Sequence, residues 1–170
     1  MTSVRWTAQR EPPALRRVRG RANIVPLPDP TDLLPHREPF LLVDEIVSLE
    51  PGVAAHARWT LRDDHWFFRG HFPGNPITPG VLMVEALAQT GGLAAMSLPE
   101  NAGKLAVFAG IEKVRFRRIV RPGDTLELET RLTRQRGPVG FGEGVARVGD
   151  EVACTATISF ALIDADRAEA

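Results

Sequence analysis

Short apolar runs separated by turn-forming residues occupy most of the chain. Residues 41–49 and 53–59 are two such runs, and the Glu50-Pro51-Gly52 step between them predicts a β-hairpin. Four more runs in the second half are separated by glycine-containing turns, and they predict strands at residues 105–118, 125–135, 141–148 and 151–163. The pattern therefore predicts six strands, most of them antiparallel neighbours.

One long segment departs from the strand pattern. Residues 81–96 are apolar on every side of a helix, Thr78 is a plausible N-cap, and Pro79 suits the first helical position. Two polar side chains, two central glycines and flanking prolines argue against a membrane span. A helix without a polar face is expected to be buried, so we predict an α+β fold in which an antiparallel sheet wraps this helix.

Charge is divided unevenly between the beginning of the chain and the rest. The totals balance at 21 basic and 21 acidic residues, but residues 1–28 hold six arginines against one glutamate. That stretch also has four prolines and no apolar periodicity, which predicts a flexible or docking arm over residues 1–31. A nucleic-acid or membrane contact is the less favoured interpretation. We expect one compact domain over residues 32–163 and a polar tail over residues 164–170.

Cys154 is the only cysteine, which excludes an intrachain disulfide and suggests a reducing cytoplasmic location. With four scattered histidines it offers no zinc-ligand spacing, so we predict no metal site. No base is near Cys154 in the sequence, and we interpret it as a packing residue.

The beginning of the long helix offers two groups with chemical potential. The Thr78-Pro79-Gly80 step places free backbone N–H groups where the helix dipole would stabilise a polarised carbonyl oxygen; an ordinary helix cap is the alternative. Glu85 has no solvent face on a helix that is apolar all round, so it must line a cavity or pair with another group. Gln89 lies one turn later on the same face and could orient Glu85 or bind substrate. The alternative is a buried Glu–Gln pair that serves packing alone.

His71 is the best candidate base among the four histidines. It follows a predicted helical turn at residues 63–68 and lies in a glycine- and proline-rich loop, 70–76, that should fix its backbone. An unperturbed imidazole is poised for proton transfer near neutral pH. A lone loop histidine is more often structural, but a buried glutamate and a helix N-terminus nearby favour catalysis. We interpret His36, His56 and His65 as structural.

Basic residues alternate along one predicted strand. Lys113, Arg115 and Arg117 would share one strand face, and Arg118 and Arg121 extend the patch. This face is either simply solvated or docks an acidic partner.

Three separated motifs carry a resemblance to a known family. They are LPHREPFLLVD at 34–44, GHFPGNP at 70–76 continuing through PGV to the EALAQ of Glu85–Gln89, and the weaker FAGIEKVRF at 108–116 with PGD at 122–124. From about residue 33 to 163, the chain resembles the FabZ-type 3-hydroxyacyl-[acyl-carrier-protein] dehydratases of type II fatty-acid synthesis.

The resemblance implies a hot-dog fold and a homodimer in which His71 of one subunit meets Glu85 of the other. Members of the family commonly assemble further, as trimers of dimers. His71 would take the proton α to the thioester carbonyl, the Gly80 N–H would hold that carbonyl, and Glu85 would help expel the 3-hydroxyl as water. Phe72, Val81 and Gln89 would lie beside the substrate. No cofactor is implied, and the partner is an acyl carrier protein, whose acidic surface would suit the basic strand face.

Some questions stay open at the level of sequence. The arginine-rich arm and Glu38 depart from the family pattern, which leaves primary fatty-acid synthesis and a specialised polyketide or lipid pathway both possible. FabA-type relatives carry aspartate at the helical position, so Glu85 favours dehydration without isomerisation. A hot-dog acyl thioesterase and a non-catalytic protein that binds acyl carrier protein are the alternatives.

Overall fold

The computed structural model describes residues 26–165 of the chain. A six-stranded antiparallel sheet has the order β1-β2-β4-β5-β6-β3. The strands are β1 Glu45–Glu50, β2 Ala54–Thr60, β3 Lys104–Phe116, β4 Thr125–Arg136, β5 Val139–Val148 and β6 Glu151–Asp164. The helices are the short α1, Pro30–Leu33, and the long α2, Gly80–Met96, and single 3-10 turns lie at Trp66–Arg69 and Pro99–Asn101.

Helix α2 is the centre of the core, as the apolar pattern predicts. Leu87, Leu93 and Ala94 are completely buried, and they join one hydrophobic cluster with Trp59 of β2 and Leu126 of β4. Helix and sheet approach closely because β5 carries glycine at the contact. A Cβ at Gly144 would lie only 3.1 Å from the Cβ of Leu87. The predicted α+β hot-dog arrangement is therefore confirmed.

The predicted beginning of α2 is wrong by one residue. The helix begins at Gly80 and Pro79 is its N-cap, with an extended backbone (φ −58°, ψ 128°). Thr78 does not cap the helix, since its buried hydroxyl has no hydrogen-bond partner and its backbone N–H donates to the carbonyl of Val120 at 2.7 Å. That tertiary hydrogen bond keeps the chain extended as far as Pro79.

Most strand boundaries differ from the prediction by one or two residues, and two of the differences, at β1 and β3, bear on the site. β1 begins at Glu45 rather than residue 41, because the backbone N–H of Leu42 is engaged by the Gln89 side chain instead of a neighbouring strand. β3 ends at Phe116, and its pairing with β6 is irregular between Glu112 and Arg115, where Lys113 has φ 51°. The prediction of one continuous strand that carries Lys113, Arg115 and Arg117 on one face is therefore wrong, because the pairing shifts between Glu112 and Arg115 and β3 ends before Arg117.

The predicted terminal segments lie largely beyond the described residues. Residues 1–25 of the arm and 166–170 of the tail are outside them, while α1 begins at Pro30, just before the expected start of the domain. Within residues 26–165, no helix is long and apolar enough to cross a membrane.

We predict that Gly144→Ala destabilises the protein by about 1–3 kcal/mol, because the added methyl group collides with Leu87. In the Leu87→Ala background the same change should cost less, since two of the three close atoms, Cδ1 and Cδ2 of Leu87, are removed and only its Cβ stays. Urea unfolding at one fixed protein concentration measures both effects. Gly70→Ala is the matched control, because a Cβ there meets nothing within 4 Å and should change stability by less than about 0.5 kcal/mol. Equal losses in the two backgrounds would contradict the close contact.

Candidate active site

Glu85 lies on α2 at the junction of two cavities. Its side chain is 16% exposed, and its Oε1 accepts a hydrogen bond of 3.0 Å from Nε2 of Gln89. A carboxyl group on a largely apolar helix thus lies beside open space large enough for a ligand. The sequence analysis expects Glu85 to line a cavity or to pair with another group, and in the structure it does both.

Gln89 fixes the carboxyl group of Glu85. Its Oε1 accepts from the backbone N–H of Leu42 at 2.8 Å, and its Nε2 donates to the carbonyl of Phe40 at 2.9 Å and to Glu85. These two backbone partners determine which end of the amide is oxygen and which is nitrogen. Gln89 can therefore only donate to Glu85. Because both amide N–H groups and the carbonyl already have partners, the arrangement favours the orienting role of Gln89 over direct substrate binding.

His36 is a member of this site that sequence reasoning placed among the structural histidines. Its Nε2 lies 3.6 Å from Oε1 of Glu85, and its buried Nδ1 has no hydrogen-bond partner. Burial lowers the pKa of His36, although the nearby Glu85 opposes this effect and Arg37 adds to it. The lowered pKa favours the neutral form of the imidazole. The contact with Glu85 joins residues 49 positions apart, so no local pattern predicts it. The one signal in the sequence that His36 belongs to the site is its position in the first family motif.

The first cavity extends from Glu85 along the helix. It has a volume of about 230 Å³, and α2 contributes one stripe of residues at positions 85, 88, 89, 92 and 96. From Glu85 to Met96 the helix rises about 16 Å. The opposite wall is mainly apolar and comes from β3, β6 and the segment before β1: Ala106, Val107, Phe108, Ile158, Phe160, Leu34 and Pro35. Its shape and apolar wall suit an extended aliphatic chain with its polar end at Glu85.

The second cavity is an open apolar groove between the beginning of α2 and β3. It has a volume of about 480 Å³ and is lined by Phe40, Val81, Leu82, Val84, Glu85, Phe108, Ile111, Val114 and Phe116. Val81 is 71% exposed and Phe116 is 53% exposed. Such a contiguous apolar surface is typical of a protein interface. The groove adjoins β3, a strand at the edge of the sheet.

His71 lies in the loop that leads into α2. Its backbone N–H donates to the carbonyl of Phe67 at 2.9 Å, and its ring stacks on Phe72. Its Nδ1 lies 2.9 Å from the carbonyl oxygen of Ile77. Because a carbonyl only accepts, Nδ1 must carry the proton, and Nε2 of the neutral ring is then unprotonated and available as a base.

His71 is not among the residues that line either of the cavities at Glu85. The third predicted group, Gly80, is the first residue of α2, so its N–H has no intrahelical partner. A Cβ on Gly80 would lie 2.8 Å from the ring of Phe116, which makes glycine the residue that fits there. Phe72 and Val81 are both exposed beside these elements.

The five basic residues differ in their surroundings. Lys113, Arg115 and Arg117 are exposed. Arg118 is held by Asp124 at 2.8 Å and Glu151 at 2.8 Å, and hydrogen bonding to these carboxylates raises its pKa. Arg121 donates hydrogen bonds within the chain to the loop that follows His71.

The remaining titratable candidates lie in the body of the fold. Cys154 is completely buried, and burial raises the pKa of its thiol to about 11, which suits a packing residue. His65 stacks on Trp59, and His56 pairs with Glu127 at 2.5 Å. Among the described residues, no group of three or more histidine, cysteine, aspartate or glutamate side chains is placed to hold a metal ion.

Comparisons with known proteins agree with this architecture. The FabA-like domain family matches residues 34–157. The 3-hydroxyacyl-[acyl-carrier-protein] dehydratase FabZ of Chloroflexus aggregans is 59% identical over 132 residues, which cover 78% of this chain and 92% of the relative. The enzyme of the same name from Roseiflexus castenholzii is 56% identical over 130 residues, covering 76% and 91%.

A solved structure supports the fold independently. The dehydratase heterocomplex ApeI:P from Xenorhabdus doucetiae matches with a TM-score of 0.73, covering 85% of this chain and 97% of the matched chain. At 19% sequence identity, this likeness supports the fold alone. The family match and the two more similar relatives show the family. The chain belongs to the FabA-like domain family and, within it, to the FabZ 3-hydroxyacyl-[acyl-carrier-protein] dehydratases.

Proposed function

We propose that this protein eliminates water from a (3R)-3-hydroxyacyl thioester on acyl carrier protein and gives the trans-2-enoyl thioester. The observation that carries the proposal is Glu85, a carboxyl group oriented by Gln89 at the polar end of an apolar cavity. The reaction removes one proton from the carbon next to the thioester carbonyl and the hydroxyl group from the next carbon. It therefore needs a base, an acid and a donor to the carbonyl oxygen.

His71 is the proposed base. Donation from its Nδ1 to the Ile77 carbonyl leaves the Nε2 lone pair to take the α proton. As the proton leaves, negative charge develops on the thioester oxygen. The Gly80 N–H, at the positive end of the α2 dipole, is the proposed donor to that oxygen.

Glu85 is the proposed acid. Because Gln89 can only donate to Oε1, the carboxylic acid proton belongs on Oε2, from which it can pass to the departing hydroxyl group. Oxygen and proton then leave as water, and the new double bond lies between the α and β carbons. The apolar cavity along α2 accommodates the rest of the acyl chain.

The active site is proposed to be completed by a second copy of the chain. His71 does not line the cavities of Glu85 in its own chain, while the groove that contains Glu85 is apolar, open and next to an edge strand. Covering this groove with the same surface of a second subunit would bury Val81, Ile111 and Phe116. His71 of the partner subunit would then face Glu85. Further assembly into a trimer of dimers is compatible with this interface.

The carrier protein is proposed to dock at the exposed basic residues Lys113, Arg115 and Arg117. Acyl carrier protein is acidic, so opposite charges would guide its approach. Arg118 is less available, because two carboxylates already surround it. A cytoplasmic location belongs to the same proposal, since this is where carrier-bound acyl chains are extended.

We predict that His71→Ala and Glu85→Gln each lower the dehydration rate by a factor of about 10² to 10⁴. The assay follows loss of water from a 3-hydroxyacyl carrier protein by mass spectrometry, and circular dichroism checks that each variant is folded. A parallel thiol-trapping assay measures hydrolysis. Full turnover in both variants would contradict the assignment, and free thiol in place of the enoyl product would identify a thioesterase.

Mixing the two inactive chains tests the shared site. In a dimer of one His71→Ala chain and one Glu85→Gln chain, the proposed arrangement leaves one of two sites intact. Random pairing on co-expression should therefore restore about a quarter of the wild-type activity. If both residues acted within one chain, every site in the mixture would lack one group and activity would stay absent.

We predict that replacing Lys113, Arg115 and Arg117 together by glutamine raises KM for the carrier-bound substrate by about tenfold or more. The change should leave KM for a small pantetheine thioester unaltered, because that substrate has no acidic protein surface. Steady-state kinetics on both substrates, at low and high salt, separate the effects. Equal KM changes for both substrates would argue against docking at these residues.

A further inference from the structure

The chain from His71 to the start of α2 is braced by the end of β3 and by the segment that follows it. The Thr78 N–H donates to the Val120 carbonyl at 2.7 Å, and the ring of Phe116 packs against Gly80. The third contact joins the side chain of Arg121 to the loop. One guanidinium nitrogen of Arg121, Nη1, donates to Oδ1 of Asn75 at 2.9 Å and to the carbonyl of Pro76 at 3.2 Å.

Arg121 itself projects from a well-fixed turn. Its backbone N–H donates to Oδ2 of Asp124 at 2.9 Å, and Arg118 holds the same carboxylate at 2.8 Å. The backbone of Asp124 is also fixed, since its carbonyl accepts from the Leu61 N–H at 2.9 Å and its N–H donates to the Arg121 carbonyl at 3.1 Å. The guanidinium group therefore reaches the loop from a rigid base.

The contact with Asn75 is directly connected to His71. The backbone of Asn75 donates to the carbonyl of Phe72 at 3.0 Å and accepts from the Phe72 N–H at 3.3 Å. His71 precedes Phe72, and its own carbonyl accepts from the Ile77 N–H at 2.9 Å. A displacement of Asn75 or Pro76 would therefore move the histidine ring and the Ile77 carbonyl that fixes its tautomer.

We propose that Arg121 is a positioning residue for the histidine base, acting through Asn75 and Pro76, rather than a cation that docks the carrier protein. This inference rests on the proposed role of His71. Asn75 and Arg121 are both exposed, so their hydrogen bond contributes little to global stability. Its contribution is geometric, because a displacement of about 1 Å at a reacting group can cost up to roughly 10² in rate.

The test uses the full chain and two substrates, a 3-hydroxyacyl carrier protein and the matching 3-hydroxyacyl pantetheine thioester. Arg121→Ala should lower kcat by about tenfold on both substrates, with little change in KM. Arg121→Lys should recover part of the rate, since an ammonium group can still donate to Asn75. Arg136→Ala, an exposed arginine at the end of β4, is the matched control and should leave both kcat values unchanged.

A double-mutant cycle isolates the contact. Asn75→Ala should lower kcat to a similar extent, and the Arg121→Ala, Asn75→Ala double variant should be no slower than the slower single variant. A loss confined to the carrier-bound substrate, an unchanged kcat on the thioester, or losses that multiply would each overturn the proposal. Full activity of His71→Ala would overturn both the proposed role of His71 as the base and the positioning role of Arg121. An inactive His71→Ala beside a fully active Arg121→Ala would overturn the positioning role alone.

Discussion

The buried amide of Gln89 is the interaction on which the site depends. It is 2% exposed, and it joins the backbone of the segment before β1 to the central helix and to Glu85. A buried donor or acceptor without a partner costs about 1–3 kcal/mol, so the amide has one favourable orientation in the folded chain. That orientation makes it a donor to Glu85. The structure thus fixes the carboxyl group of Glu85, the proposed acid, with the same hydrogen bonds that attach the first motif to the core.

The burial of α2 explains why such a carboxyl group can exist in this position. A helix that is apolar on all sides must be enclosed, and the sheet encloses it closely where Gly144 faces Leu87. Enclosure is incomplete along the stripe from Glu85 to Met96, where space remains for an aliphatic chain. It is also incomplete at the exposed groove beside β3, where the proposed second subunit would bring the base.

Much of the fold could be predicted from the sequence, because its strongest signals are local. Apolar runs, turn residues and a helix without a polar face predicted every strand and the central position of α2. The errors arose where tertiary hydrogen bonds override local preference. Thr78 would be an ordinary N-cap in isolation, but Val120 holds its backbone extended, and Gln89 replaces a strand partner at Leu42.

The candidate site was predictable in part for the same reason. Glu85 and Gln89 lie one helical turn apart, so their contact follows from local geometry. His36 approaches Glu85 from a distant part of the chain, and the partners of Arg118 and Arg121 depend on how the turn at Asp124 packs. No single-sequence pattern contains these contacts. The relation of His71 to Glu85 requires, in the proposed site, a second copy of the chain.

A crystal structure of the assembled protein with a non-hydrolysable 3-hydroxyacyl pantetheine analogue is the most direct measurement of the central claim. The account predicts that Nε2 of His71 from one subunit lies about 3 Å from the α carbon, and that a carboxyl oxygen of Glu85 from the other lies about 3 Å from the 3-hydroxyl. The account would be contradicted if His71 and Glu85 opened into separate cavities, both within one subunit and across the interface.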